Sequence, residues 1–357
     1  MALTQLQWLH TAGRPAVWAS RGLCEPELYT GAPVVHSRCP GGRRSGCDRS
    51  WWGMDDAQAP LLLRPALLAA GFSASELRRD RRRGSLAVVR RGAYVRAGDQ
   101  RLEDPVARHA LLIAAEVRRV APSAVVSHVS AAVLYGLPVW GVPLDQVHVT
   151  RARPSGARAG RAVIVHSAPL ASAQITCVDG VATTCPARTV VDLARTVSLE
   201  SAVVTIDAAL RRGLVTRATL DDALRRAIGW PGVPAARRAV AFGDGLAASV
   251  GESRSRVALE RHGLPAPTLQ WEVWHGAELI GRVDFAWPER GTVGEFDGKI
   301  KYGRLLRPGQ QPGDAVFDEK LREDKLRAAG LRVVRWVWKD LAAFAGVANR
   351  LRDALDA

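Results

Sequence analysis

Three carboxylates interrupt an otherwise apolar hairpin in the stretch GRVDFAWPERGTVGEFDGK, residues 281–299: Asp284, Glu295 and Asp297. Pro288-Glu289-Arg290-Gly291 reads as the turn between two strands, with Pro and Gly at its ends. A turn centred between Glu289 and Arg290 sets Asp284 opposite Glu295 and Arg282 opposite Asp297. Strand residues two apart share a face, so the three acids are expected to converge on one side. Like charges facing each other across a strand pair are destabilising, and a positive group between them relieves the repulsion. A hard divalent cation, Mg²⁺ or Mn²⁺, takes carboxylate oxygens and leaves positions open for water and phosphate. Such an ion activates water and stabilises charge on a phosphodiester. The structural alternative is a surface network in which Arg282 and Lys299 neutralise the acids.

The flanking elements must position these groups. Upstream, Ser249 and Glu252 open a helix, ESRSRVALERHGL, that closes at Gly263 before Pro265 and Pro267. Glu252 stands at the N3 position of a capping box, which by itself explains an acid there. Downstream come a linker (301–316), a helix over FDEKLREDKLRAAG and an apolar strand, LRVVRWVW. The expected order is helix, strand, strand, loop, helix, strand.

Charge is the strongest global signal. Fifty Lys+Arg against 35 Asp+Glu leave a formal +15 in 357 residues, which suits a polyanionic partner such as nucleic acid. The excess is concentrated between Phe72 and Arg101, where nine arginines stand against three acids. There the chain reads as helix, turn, helix, hairpin. PLLLRPALLAAG is the first helix, Ser73 and Glu76 form a capping box for the second, and Gly84 closes it. SLAVV and GAYVR then alternate around Arg90-Arg91-Gly92. That order is the order of a winged helix-turn-helix. Arg78, Arg79, Arg81, Arg82, Arg83, Arg90 and Arg91 are its candidate DNA contacts, because guanidinium forks match phosphate oxygens and guanine edges.

Residues 1–53 carry Gly, Pro, Trp, Arg and three of the five cysteines without a sustained period. They are expected to be a disordered or mis-annotated extension ahead of a natural start at Met54. The domains expected beyond it span 54–103, 104–245 and 246–357. Asp104-Pro105 caps a helix at the start of the middle domain, which alternates helix and strand to about residue 240. His109, His128, His148 and His166 lack metal or triad spacing and read as ordinary core or surface histidines. The cysteines form no framework and read as reduced thiols. No apolar run approaches the ~20 residues of a membrane span, and the N-terminus lacks a signal-peptide layout, so a cytoplasmic address is expected.

Two resemblances follow from these residues. Phe72–Arg101 with SHVSAAVLYGLP, VHVT and VDGVATTCPARTVVDLAR resembles the AbiEi-type antitoxins of type IV toxin–antitoxin systems, over roughly residues 58–240. That likeness implies a DNA-binding head that represses its own promoter and a second α/β domain that counters a cognate toxin. Over about 249–345, acid, hairpin, EFDG, helix and GLRVVRW resemble the PD-(D/E)xK superfamily, in particular its Vsr-like endonuclease domains. The resemblance implies that Asp284 is the first motif acid, Glu295 the second and Glu252 the auxiliary helix acid. It also implies a restriction-endonuclease-like mixed sheet flanked by helices. Asp297 takes the place of the motif lysine, which leaves Lys299 on the same strand face, or Lys320 in the next helix, as the catalytic cation. The fold class expected is therefore a multidomain α+β and α/β chain. Its expected function is a Mg²⁺-dependent DNA endonuclease in phage defence or DNA repair. The alternative is a non-catalytic regulator or antitoxin on a degenerate nuclease scaffold.

Overall fold

The computed structural model describes residues 60–153, 156–298 and 321–357. The extension 1–53, the candidate start Met54, Lys299 and Lys320 lie outside them. The chain opens with β1 (Leu62–Leu63), α1 (Arg64–Ala69), α2 (Ala74–Arg82), β2 (Leu86–Arg90) and β3 (Ala93–Arg96). Next come α3 (Pro105–Val117), β4 (Ala124–Val126), α4 (His128–Leu134), β5 (Val147–Arg151), β6 (Arg158–Ala159) and β7 (Val163–Ser167). The hairpin β8 (Ile175–Val178) and β9 (Val181–Thr184) precedes four helices, α5 (Pro186–Ala194), α6 (Leu199–Arg211), α7 (Arg217–Arg226) and α8 (Val233–Phe242). Then follow α9 (Val250–Arg261), β10 (Thr268–His275), β11 (Glu278–Trp287) and β12 (Thr292–Asp297). The chain closes with α10 (321–328), β13 (Arg332–Val337) and α11 (Ala345–Asp356). It is a mixed α+β protein, and among the described residues no helix is long and apolar enough to cross a membrane.

Two compact units divide the described chain, one of residues 60–126 with 144–184, the other of 127–143 with 185–357. In the first, a three-stranded sheet of order β1-β3-β2 carries α1 and α2. Ser73 caps α2 through both bonds of the capping box, and Gly84 leaves it at φ +74°. The first helix starts later than its sequence suggests. Leu62 and Leu63 pair instead with Tyr94 and Ala93, and Arg64 begins the helical turn with Pro65, which has no N–H to lose, in second place. Val89, Ala93 and Val95 bury against Leu111 and Ala115 of α3, whose N-terminus is capped by Asp104.

A six-stranded sheet of order β6-β7-β5-β4-β9-β8 completes this unit. CVDGVATT folds as a hairpin, because Asp179 (φ +50°) and Gly180 (φ +77°) form a two-residue turn of the Asp-Gly kind. His109 is buried with Nδ1 2.8 Å from the Leu144 carbonyl, and His148 Nδ1 lies 3.1 Å from His166 Nε2. Burial, then the facing His166, holds His148 down at about 4. Among the described residues, neither Cys177 nor Cys185 is in a disulfide.

In the second unit the helices α5–α8 pack with α9, which leads into a four-stranded sheet of order β10-β11-β12-β13. Three ion pairs tie α9 to α6: Arg256 to Asp207 at 2.7 Å, Arg254 to Glu200 at 2.5 Å and Arg261 to Glu200 at 3.2 Å. Phe285, Phe296 and Trp336 form the sheet's side of the core, against Leu259 of α9 and Leu351 of α11. Gly251 lets α9 approach β12, since a Cβ there would overlap the Phe296 ring. β11 and β12 are antiparallel, whereas β12 and β13 run parallel from Thr292↔Arg332 to Asp297↔Val337. β10 was absent from the expected order. It pairs along nearly the whole of β11, and its alternating Leu269, Trp271 and Val273 carry the period-two signal of a strand.

Candidate functional site

The hairpin turns where Pro and Gly place it. Gly291 (φ +55°) donates to the Pro288 carbonyl at 3.1 Å, and the pairs Trp287↔Thr292, Ala286↔Val293 and Phe285↔Gly294 set the register. Continued one step, that register puts Asp284 beside Glu295. The ladder stops at Phe285↔Gly294 because the strands diverge there: β11 stays with β10 while β12 follows β13. Asp284 spans the fork, its Oδ2 accepting from the Phe296 backbone N–H at 2.9 Å.

A second acid reaches this point from α9. Glu252 is 7% exposed and its carboxylate folds back over the helix N-terminus, accepting from Ala248 N–H and from the Ser249 hydroxyl at 2.8 Å each. Capping therefore accounts for part of its environment. It does not account for Gln270, whose Nε2 donates to Glu252 Oε2 at 2.8 Å and approaches Asp284 Oδ1 at 3.4 Å. One amide thus tethers two carboxylates. Gln270 holds that pose at φ +51°, a backbone region that non-glycine residues seldom adopt and that clusters at functional sites. Burial, then the charge of Asp284, pushes the Glu252 carboxyl up to about 7.

Glu295 is 6% exposed and stands in a different field. Arg322 Nη2 on α10 is 2.5 Å from its Oε1, and Arg335 Nη2 on β13 is 2.8 Å from its Oε2. Asp297, two residues on, is half-exposed and lines an open groove with Arg335, Lys339, Asp340 and Arg350. The structure thus joins Glu252 to Asp284 through Gln270 and gives Glu295 arginine partners. Lys299 falls outside the described residues.

The donor set suits a hard cation. Glu252 and Asp284 offer oxygen ligands only; burial first, and then the charge of Asp284, raises the Glu252 pKa, and a divalent ion would offset both. Gln270, Arg322 and Arg335 escape sequence reasoning.

The basic head presents its arginines unevenly. Arg78, Arg79, Arg81, Arg82 and Arg83 are exposed along and just after α2, as is Arg91 at the hairpin tip. Arg90 does not join them: its Nε pairs with Glu116 at 2.7 Å and its Nη2 donates to the Ala115 carbonyl at 2.9 Å.

No family model matches the chain. It is similar to two proteins of Mycobacterium tuberculosis, "Uncharacterized protein MT2308" of strain CDC 1551 / Oshkosh and "Uncharacterized protein Rv2248" of strain ATCC 25618 / H37Rv. Each is 35% identical over 183 residues, which span 47% of this chain and 66% of the relative. The crystal structure of the RV2827C protein from Mycobacterium tuberculosis aligns at a TM-score of 0.35 with 14% identity, covering 62% of this chain and 85% of that one.

Proposed function

We propose that this chain is a DNA-binding protein whose C-terminal sheet carries a Mg²⁺- or Mn²⁺-dependent phosphodiesterase site of the PD-(D/E)xK, Vsr-like kind. The observation that carries the reading is the acid pair at the strand fork. Buried Glu252 and half-buried Asp284 are tethered by a Gln270 in a strained backbone pose, and Glu295 follows on the neighbouring strand. Residues 54–103 act as a winged helix-turn-helix head, with Arg78, Arg79, Arg81, Arg82, Arg83 and Arg91 as its phosphate and base contacts. The segment 104–245 is its AbiEi-like companion.

In this reading Asp284, Glu295 and Asp297 would hold the cation, with Glu252 in support. The bound ion supplies an activated water and charge stabilisation on the phosphodiester. Gln270 fixes the Glu252 and Asp284 carboxylates against each other, and the Phe296 N–H aligns the Asp284 oxygens. The basic head delivers DNA by charge.

The second reading is a non-catalytic regulator or antitoxin acting with a cognate toxin. It is favoured by the two guanidinium groups that already balance Glu295. A cleavage assay on supercoiled and linear DNA, in Mg²⁺ and in EDTA, separates the two. Mg²⁺-dependent nicking is the expected result, and intact DNA at millimolar Mg²⁺ and Mn²⁺ supports the regulator.

DNA affinity is expected to fall steeply with salt. Each arginine–phosphate contact adds roughly one unit to the log–log salt slope, so replacing Arg78, Arg79 and Arg82 with Ala should flatten it by about two to three units. Fluorescence anisotropy on a short duplex between 50 and 200 mM salt reads this directly. An unchanged slope would move the footprint off α2.

A further inference from the structure

α10 is anchored by Leu326, which is fully buried in a cluster with Val273, Val283 and Val293. Residues four apart share a helix face, so the face that buries Leu326 also carries Arg322 to the sheet. There Arg322 Nη2 meets Glu295 Oε1 at 2.5 Å, and its Nη1 donates to the Arg282 carbonyl at 3.3 Å. Arg335, on the other Glu295 oxygen, also pairs with Glu323 at 3.2 Å, and Glu323 is shared with Arg327 at 2.5 Å. The result is an alternating chain: Arg327, Glu323, Arg335, Glu295, Arg322. Three cations share two acids, so positive charge is in excess. Arg335, 26% exposed, is engaged by two acids, and Arg327 is 61% exposed at the outer end. Arg322, 25% exposed, ends the chain beside the fork that holds Asp284 and Glu252.

We propose that Arg322 is the positioning residue of the acidic site. From α10 it fixes the Glu295 carboxylate and lends the acids the positive charge missing two residues after Glu295, where the sequence has Asp297. This inference rests on the phosphodiesterase reading. A guanidinium suits the duty because it stays charged at every working pH and grips carboxylate and phosphate oxygens with a planar fork. Its placement also makes it a competitor of any cation on Glu295. The two effects are opposite in sign, which makes the role testable: loss of Arg322 should tighten metal binding while weakening catalysis.

The test compares the full chain with Arg322→Ala and Arg322→Lys. Two quantities are read: the Mn²⁺ concentration that half-maximally raises the melting temperature, and single-turnover nicking of supercoiled DNA in Mg²⁺. In Arg322→Ala the Mn²⁺ midpoint should drop several-fold, and nicking should slow by about 100-fold, the usual cost of one charge-stabilising donor. Arg322→Lys should return the midpoint towards wild type and restore at least about a tenth of the nicking rate. A purely structural arginine would instead weaken the Mn²⁺ response along with nicking, and that result overturns the proposal, as does wild-type nicking in Arg322→Ala. A wild-type chain that neither responds to Mn²⁺ nor nicks DNA would end the phosphodiesterase reading, and this inference with it.

Discussion

Asp284→Asn is expected to abolish metal-dependent stabilisation and to lower DNA cleavage by at least about 100-fold. A cation that binds only the folded protein stabilises it by mass action, about 2.7 kcal/mol when present at 100 times its dissociation constant. Wild-type protein should therefore melt several degrees higher in saturating Mn²⁺ than in EDTA. Asparagine is the informative replacement. Its amide oxygen can still accept from the Phe296 N–H, which Asp284 meets at 2.9 Å, so the strand fork keeps its bridge. Only the charge leaves. The metal-free variant should then equal or exceed the wild type in stability, because the repulsion on Glu252 is gone. Calorimetry with and without Mn²⁺ decides the matter. A variant that keeps the Mn²⁺ shift would show that Asp284 is no ligand.

Glu252→Gln should remove the loss of stability that the unit containing the sheet suffers as pH rises from 4.5 to 8. The Glu252 carboxyl titrates near 7 when folded, above its ordinary 4.5, because burial and then Asp284 disfavour the charged form. Below the unfolded value both states hold the proton, and the contribution to stability is complete. Between the two values the folded state keeps a proton that the unfolded state has released, so stability falls as pH rises. By pH 8 the loss amounts to about 3 kcal/mol for a shift of this size. Glutamine does not titrate, and it fits the same partners. Its carbonyl can accept from Ala248 N–H and Gln270, while its amide can donate to the Ser249 hydroxyl oxygen. Urea melts in EDTA should show the variant matching wild type near pH 4.5 and exceeding it by up to about 3 kcal/mol at pH 8. Wild-type affinity for Mn²⁺ should rise across the same interval, since the ion binds the deprotonated acid. Parallel curves for the two proteins would mean that Glu252 ionises normally.

What the sequence disclosed was local. The Pro288–Gly291 turn fixed the hairpin register, and Ser73, Asp104 and Ser249 marked helix starts by their short-range capping chemistry. The hairpin arithmetic set Asp284 beside Glu295, but the fork between β11 and β12 depends on β13, whose residues stand 40 positions after their partners Thr292 to Asp297, and no local pattern announces it. The arginines on Glu295 stand 27 and 40 positions downstream, so their approach is set by the docking of α10 and β13. Gln270 was hidden for another reason. Its importance lies in a positive φ, and glutamine carries none of the propensity for that region that would mark a glycine or asparagine.

The bridge across the fork has an evolutionary consequence. Asp284 does two jobs, since its carboxylate both offers charge and occupies a backbone N–H that the diverging strands leave without a ladder partner. Selection for folding alone therefore retains an acceptor at this position in a lineage that has given up chemistry. The aspartate is a poor witness to activity. Gln270 is a better one: its backbone pose costs on the order of 1 kcal/mol, and what it gains is the tether between two acids. Once the acids are no longer used, drift should release residue 270 first, and its identity in a descendant chain reports whether the site is still in service.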